Sequence, residues 1–298
     1  MRELKIINHI RKQAGKQGKG VKLGIGDDCA VLEYDKKQYL LWASDMLAEG
    51  THFDIKKDSY RAIGRKAVCV NISDISAMGG RPRYITVSIG VPVGMKTSRI
   101  NAVYDGIFGI CKDYGIKVLG GDTVRSHKLV IDVSIIGFVE KKFLVSRSGA
   151  KKGDVILITG PVRNGRKEHL SFIPRLEEAR FLVKRCKVNS MIDSSDGIAL
   201  DMGRICAESK VGARLYEDAI PLSKGLTLSD ALYYGESFEL LFTMDPKTVR
   251  KLFLDLKKIK KAPDYFVIGE IVEKKEGLIL VGKEGRVSKL NARGYEHI

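Results

Sequence analysis

Short apolar runs alternate with longer stretches of helical spacing along the whole chain. Residues 30–34, 38–43, 84–91, 116–119 and 129–139 read as strands, and 58–79 and 97–114 as helices. A basic, glycine-containing stretch at 146–153 separates these from a second series. That series is a strand at 155–159, a helix at 175–186, a strand at 189–193, a helix at 197–209, strands at 212–216 and 237–243, a helix at 246–259, and strands at 265–272 and 277–282. At the start, Ile6, Ile7 and Ile10 share one helical face, which predicts a short lid or docking helix before the Gly/Lys-rich residues 15–20. Alternation in both halves predicts an α+β protein built from two layered α/β domains, residues 1–147 and 148–298.

Composition narrows the class. With 298 residues, 44% hydrophobic and 30% charged, the chain is long enough for two cores and is neither disordered, collagenous nor coiled-coil. Its apolar runs are all shorter than the ~18 residues of a membrane span, and the N-terminal residues lack the apolar stretch of a signal peptide. The five cysteines (Cys29, Cys69, Cys111, Cys186, Cys206) are scattered and form no C-x-x-C pair. That argues against a disulfide framework or zinc site and for a reducing, cytoplasmic compartment. The formal charge is +16, from 52 Lys+Arg against 36 Asp+Glu, but the excess is spread over both halves. Its densest cluster, Lys257 to Lys261, ends an expected surface helix. A diffuse basic field suits a phosphorylated small molecule at least as well as nucleic acid, and a basic nucleic-acid binder is the alternative outside enzymes.

The candidate chemistry lies in aspartates placed beside Gly, Ser and Thr: Gly26-Asp27-Asp28, Ser44-Asp45, Ser73-Asp74, Gly121-Asp122-Thr123 and Asp193-Ser194-Ser195-Asp196-Gly197. Singly, most would be helix caps or turn residues. Asp45 and Asp122, however, follow apolar strands, where sheet ends form ligand crevices. Asp74 sits in a mostly apolar helix, where an unpaired carboxylate would be costly. Were these groups to converge, their repulsion would demand cations, and oxygen ligands without a His/Cys cluster favour Mg²⁺. Such a site in a basic protein suggests nucleotide phosphates. There is no G-x-x-x-x-G-K-[ST] cradle, and Gly24-Ile25-Gly26-Asp27-Asp28-Cys29 breaks the dinucleotide fingerprint at its third glycine, so phosphate binding is expected to run through metals and an Arg.

Taken in order, these motifs resemble the thiamine-monophosphate kinase family, within the aminoimidazole ribonucleotide synthetase-like superfamily. The match includes Ser44-Asp45-Met46-Leu47-Ala48-Glu49-Gly50-Thr51-His52-Phe53, Asn71-Ile72-Ser73-Asp74, Gly120-Gly121-Asp122-Thr123, Arg147-Ser148-Gly149-Ala150, Tyr234-Gly235-Glu236-Ser237-Phe238-Glu239 and Gly294-Tyr295-Glu296-His297. The resemblance implies ATP-dependent phosphorylation of thiamine monophosphate to thiamine diphosphate, by direct in-line transfer with several Mg²⁺. It also implies a homodimer whose N-terminal sheets pair. By position, Asp27, Ser44, Asp45, Asp74, Asp122, Asp193 and Asp196 would be metal ligands. Tyr104, Gly121, Asp122, Arg147 and Ser195 would contact ATP, while His52, Glu236 (or Glu239) and Tyr295 would line the thiamine phosphate site. No general base is expected, because the attacking group is already a phosphate oxygen. Another enzyme of the same superfamily, acting on a different phosphorylated metabolite, is the alternative within enzymes.

Three departures bear on this reading. Ala43 stands where the family commonly has Thr, and Ser237 replaces an Asp expected beside the cationic thiazolium. Residues 160–169 lack the small-residue run expected after the first strand of the second domain.

Overall fold

The computed structural model of the chain describes residues 2–15, 17–163 and 168–295. Residues 164–167 of the departing segment, and Glu296 and His297 of the C-terminal motif, lie outside them. The first half forms a six-stranded sheet, in spatial order β1-β2-β3-β6-β4-β5: β1 (Val21–Leu23), β2 (Ala30–Glu33), β3 (Gln38–Ala48), β4 (Arg81–Pro92), β5 (Lys117–Ser126) and β6 (Val130–Glu140). Neighbours are antiparallel except β4 and β5, which run parallel and are joined through helix α3 (Thr97–Tyr114).

Helix α2 (Tyr60–Ala77) and α3 contribute to one core with the inward side chains Leu41 and Leu47 of β3, Ile85 and Val87 of β4, and Ile131 and Val133 of β6. A helix buried nearly all round, like α2, must be packed on several sides. At the α2–α3 crossing a Cβ on Gly64 would lie 1.9 Å from the Val103 carbonyl oxygen, and one on Gly106 would lie 1.9 Å from that of Arg61. Glycine is required there because the two backbones touch. The opposite face of this sheet carries Trp42, half exposed, whose indole N–H donates to Ser134 Oγ at 2.7 Å.

The second half is a seven-stranded sheet in order β13-β12-β9-β11-β7-β10-β8: β7 (Val155–Thr159), β8 (Ser190–Asp193), β9 (Gly212–Tyr216), β10 (Leu240–Met244), β11 (Tyr265–Val272), β12 (Leu278–Val281) and β13 (Val287–Lys289). Both faces are covered. Ile156 and Ile158 of β7 join one core with α5 (Ile198–Ser209) and α6 (Leu228–Tyr233), and Leu157 joins another with α4 (Leu176–Arg185) and α7 (Pro246–Leu256). This explains why β7 reads as an unbroken apolar run. Helix α7 starts where such a helix should: the Asp245 carboxylate accepts from the Lys247 and Thr248 amides, and Pro246 takes the first helical position. The halves meet through Phe172, Leu176 and Phe238, which belong to the first core, with Phe172 stacked on Phe238 at 4.1 Å.

Several expectations need correcting. Asp45 and Asp122 do not follow strands; β3 runs on to Ala48 and β5 to Ser126, so both lie within strands. Pairing explains the extension, since β3 matches β6 through eleven registered pairs, and β5 bulges at Leu119 and then pairs with β4 from Gly120 to Ser126. The N-terminal helix α1 (Arg2–Ala14) is present, but Ile6 and Ile10 of its apolar face are exposed; Arg11 instead ties it to Glu208 at 2.7 Å. Among the described residues no helix is long and apolar enough to cross a membrane.

Candidate active site

A cleft of about 790 Å³ opens between the two halves. The first half supplies Asp45 from β3, the 50–58 turn, and Val70 and Asp74 from α2; the second supplies Asp193, Ser195, Asp196, Glu236 and Tyr295. Helix α2 measures the cleft. Lys66, Val70 and Asp74 recur every fourth residue on one helical face, and Lys66 and Asp74 stand about 12 Å apart along the axis.

At the Asp74 end the carboxylates converge. Asp28, Asp74 and Asp193 each offer an oxygen within 4.8 Å of the others. Ser73 Oγ donates to Asp193 Oδ2 at 2.6 Å. Asp45 shares a hydrogen bond with Asp74; burial, with Asp196 and Asp28 nearby, pushes its carboxyl up to about 6. Burial and then the charge of Asp28 push Asp27 up to about 7, and burial with neighbouring carboxylates holds Asp74 and Asp193 well above the usual range. Two cations answer this charge. Arg147 Nη2 donates to Asp28 Oδ1 at 2.6 Å while the Arg147 amide donates to Asp27 at 3.2 Å. Arg204 holds Asp196 at 2.7 Å and Asp201 at 2.8 Å. Asp28 Oδ2 and Arg147 Nε nevertheless lie buried with no hydrogen-bond partner. An all-oxygen donor set with an orphaned carboxylate oxygen fits a hard divalent cation such as Mg²⁺.

At the Lys66 end, the fully buried ammonium donates to the His52 carbonyl and to His169 Nδ1, each at 2.9 Å, and to Glu236 Oε1. His52 Nδ1 accepts from the Ala48 amide at 3.0 Å, which leaves the proton of a neutral ring on Nε2. The 234–238 segment is pressed onto the Asp193 loop: the Glu236 amide donates to the Ser195 carbonyl at 2.7 Å, and a Cβ on Gly235 would lie 1.9 Å from the same oxygen. Glu236 and Phe238 adopt left-handed φ of 68° and 52°, strain of about 1–3 kcal/mol each that clusters at functional sites. The Tyr295 amide donates to the Asp196 carbonyl at 3.1 Å, holding the tail at the cleft.

Not every sequence-derived candidate converges. Ser44 points away from Asp45, as alternate strand residues must, and its hydroxyl donates to Asp132 at 3.1 Å on the outer sheet face. Gly121 and Asp122 lie on exposed edge strand β5, separated from β3 by β4 and β6. Tyr104 packs on α3 near Phe108 at 6.3 Å, outside the cleft lining. Glu239 is buried on Arg175, at 2.6 and 2.7 Å, and on Thr159, so of the two glutamates only Glu236 lines the cleft. Ser237 is 4% exposed and does not line the cleft, its hydroxyl 3.5 Å from the Ser194 carbonyl. Lys66 and His169 are absent from the sequence-derived candidates, and Asp28 is named there only within Gly26-Asp27-Asp28 and not as a ligand. A lysine in the apolar stretch of α2, eight residues before Asp74, was the available signal for the first.

Comparison with known proteins identifies the two halves and the family. The family model for the AIR synthase related protein N-terminal domain matches residues 26–139, and that for the C-terminal domain matches 137–281. The thiamine-monophosphate kinase of Buchnera aphidicola subsp. Schizaphis graminum is 34% identical over 99% of this chain and 98% of its own length. That of Escherichia coli K12 is 33% identical over 93% and 92%. A solved structure, AaThiL complexed with AMPPCP and TMP, superposes with a TM-score of 0.84 at 28% identity, covering 99% of this chain and 97% of that one. Full-length similarity to these kinases, together with both domain models and the shared fold, makes this chain a member of the thiamine-monophosphate kinase family.

Proposed function

We propose that the chain transfers the γ-phosphoryl group of ATP to thiamine monophosphate, giving thiamine diphosphate and ADP. The observation that carries this reading is the two-ended cleft, with carboxylates around Asp74 at one end and His52 and Glu236 about 12 Å along α2 at the other. A phosphate oxygen of the acceptor attacks the γ-phosphorus in line, the new P–O bond forms as the bond to the β,γ-bridging oxygen breaks, and ADP leaves. Acceptor phosphate is largely deprotonated near neutrality, so the protein's task is alignment and charge neutralisation.

Asp28, Asp45, Asp74 and Asp193, with Asp27 and Asp196 beside them, would hold Mg²⁺. Bound there, the metal neutralises phosphate charge and orients the transferring group. Arg147, held on Asp28 behind the cleft lining, balances the carboxylate charge and is the proposed phosphate contact, while Ser195 lines the cleft next to Asp196. Glu236 offers a carboxylate to the cationic thiazolium, His52 a ring N–H, and Tyr295 an aromatic face.

We further propose a homodimer. The outer face of the first sheet exposes Trp42 at 50% and Val124 at 54%, alongside Ser44, Asp122, Asp132 and Ser134. A second copy covering this face would also give Ser44, Gly121 and Asp122, remote from their own cleft, a route to a nucleotide. We also propose a reducing, cytoplasmic setting, on the scatter of the five cysteines along the sequence. Incubation with ATP, Mg²⁺ and thiamine monophosphate, followed by chromatography, is expected to yield thiamine diphosphate and ADP in equal amounts. ATP consumption without thiamine diphosphate would mean a different phosphorylated acceptor.

A further inference from the structure

Lys66 is the one fully buried ammonium among the described residues, and its three partners come from three separate segments. The His52 carbonyl belongs to the turn after β3, His169 to the segment before α4, and Glu236 to the strained 234–238 loop. Burial and the adjacent Lys66 charge keep His169 less basic than an ordinary histidine, which suits a ring accepting at Nδ1. Glu236 is differently placed: its side chain keeps 31% exposure, Oε1 is taken by Lys66, and Oε2 stands 3.8 Å from His169 Nδ1. One carboxylate oxygen is therefore anchored while the group as a whole still faces the cleft.

We propose that Lys66 is the positioning residue of the acceptor end, fixing Glu236 by one oxygen so that the other meets a cationic or hydrogen-bond-donating group of the acceptor. The inference rests on the acceptor reading given above. A free Glu236 on a left-handed backbone would sample several rotamers, and each would have to be frozen out on binding. Because α2 also carries Asp74, the same rigid helix sets the distance between the anchored carboxylate and the phosphoryl-transfer end. Lys66 touches neither the carboxylate cluster nor any group expected on the nucleotide, so its loss should register on one substrate only.

The test compares Lys66→Met, Lys66→Arg, Glu236→Gln and the Lys66→Met/Glu236→Gln double variant, with KM measured separately for thiamine monophosphate and for ATP at saturating Mg²⁺. Lys66→Met is expected to raise KM for thiamine monophosphate at least tenfold while KM for ATP stays within twofold. Lys66→Arg should recover part of that loss. In the Glu236→Gln background, removing Lys66 should change KM by less than threefold, because its effect runs through Glu236. If Lys66→Met does not fold, Lys66→Arg and the neutral double variant carry the comparison by the same criteria. Equal effects on both KM values, a fall in kcat alone, or effects additive with Glu236→Gln would overturn the proposal and leave Lys66 a purely structural tie. A wild type that makes no thiamine diphosphate overturns the functional reading and this inference with it. An active wild type with an unperturbed Lys66→Met variant overturns this inference alone.

Discussion

Replacing Gly64 by Ala tests whether the α2–α3 backbone contact sets the geometry of the cleft. The new Cβ would lie 1.9 Å from the Val103 carbonyl oxygen, so the helices must separate by more than 1 Å. Overpacking of this kind costs about 1–3 kcal/mol, and a backbone atom cannot rotate away as a side chain can, which places the cost at the upper end. Better helix propensity of Ala returns about 1 kcal/mol, leaving a net loss of about 2 kcal/mol. With an unfolding entropy of about 2.1 cal/mol/K per residue, that lowers the thermal midpoint of a 298-residue chain by roughly 3 °C. Because α2 carries both Lys66 and Asp74, a displacement of about 1 Å should also lower kcat by about a hundredfold. Gly109 in α3 supplies the control: its Cβ would meet only the Arg61 side chain, at 4.0 Å, so Gly109→Ala should be neutral or stabilising by up to about 1 kcal/mol. Thermal melts and urea titrations of both variants, with steady-state rates, decide the matter. A Gly64→Ala protein as stable and active as wild type, or a Gly109→Ala protein equally damaged, would show that the backbone contact does not set the cleft.

Three further outcomes follow from the same structure. Ser237→Asp should destabilise by about 1–3 kcal/mol without lowering KM for thiamine monophosphate, since it buries a carboxylate against the Ser194 carbonyl; a lowered KM would place residue 237 in the acceptor site after all. In EDTA, stability should fall as pH rises from about 4 towards 7: Asp45 (about 6) and Asp27 (about 7) titrate above their unfolded values, so the folded state binds more protons and loses stability as they ionise. Restoring Mg²⁺ should remove that fall, and a pH-independent melt in EDTA would contradict the crowded-carboxylate picture. Light scattering should give twice the monomer mass, and Trp42→Glu on the exposed sheet face should give the monomer; a monomeric, fully active wild type would remove the dimer from the account.

Much of this was legible in the sequence because it depends on local period. The long helices α2 and α3 and the apolar strand β7 announce themselves by spacing, and the ordered aspartate motifs marked the carboxylate end of the cleft. Side-chain direction was harder to read. Ser44 and Asp45 look like one motif, yet a pleated strand sends them to opposite faces, and only knowing that β3 continues to Ala48 reveals it. Glu236 and Glu239 are likewise similar on paper. The close approach of Gly235 to Ser195 turns the first into the cleft, while Arg175, reached through tertiary packing, draws the second into the interior. Lys66 escaped notice because a lysine in a helix usually faces water; its partners come from residues 14, 103 and 170 positions away. The exposed Ile6 and Ile10 show the converse, an amphipathic pattern that forms its helix without burying the face.

Phosphoryl transfer from ATP to a thiamine phosphate in this cleft can be followed by isotopic label. With ATP carrying ¹⁸O in its γ-phosphoryl group, mass spectrometry of the products should find all of the label in the terminal phosphoryl group of thiamine diphosphate, and Asp74→Asn should abolish its appearance. Label recovered as inorganic phosphate, with thiamine monophosphate unchanged, would contradict it.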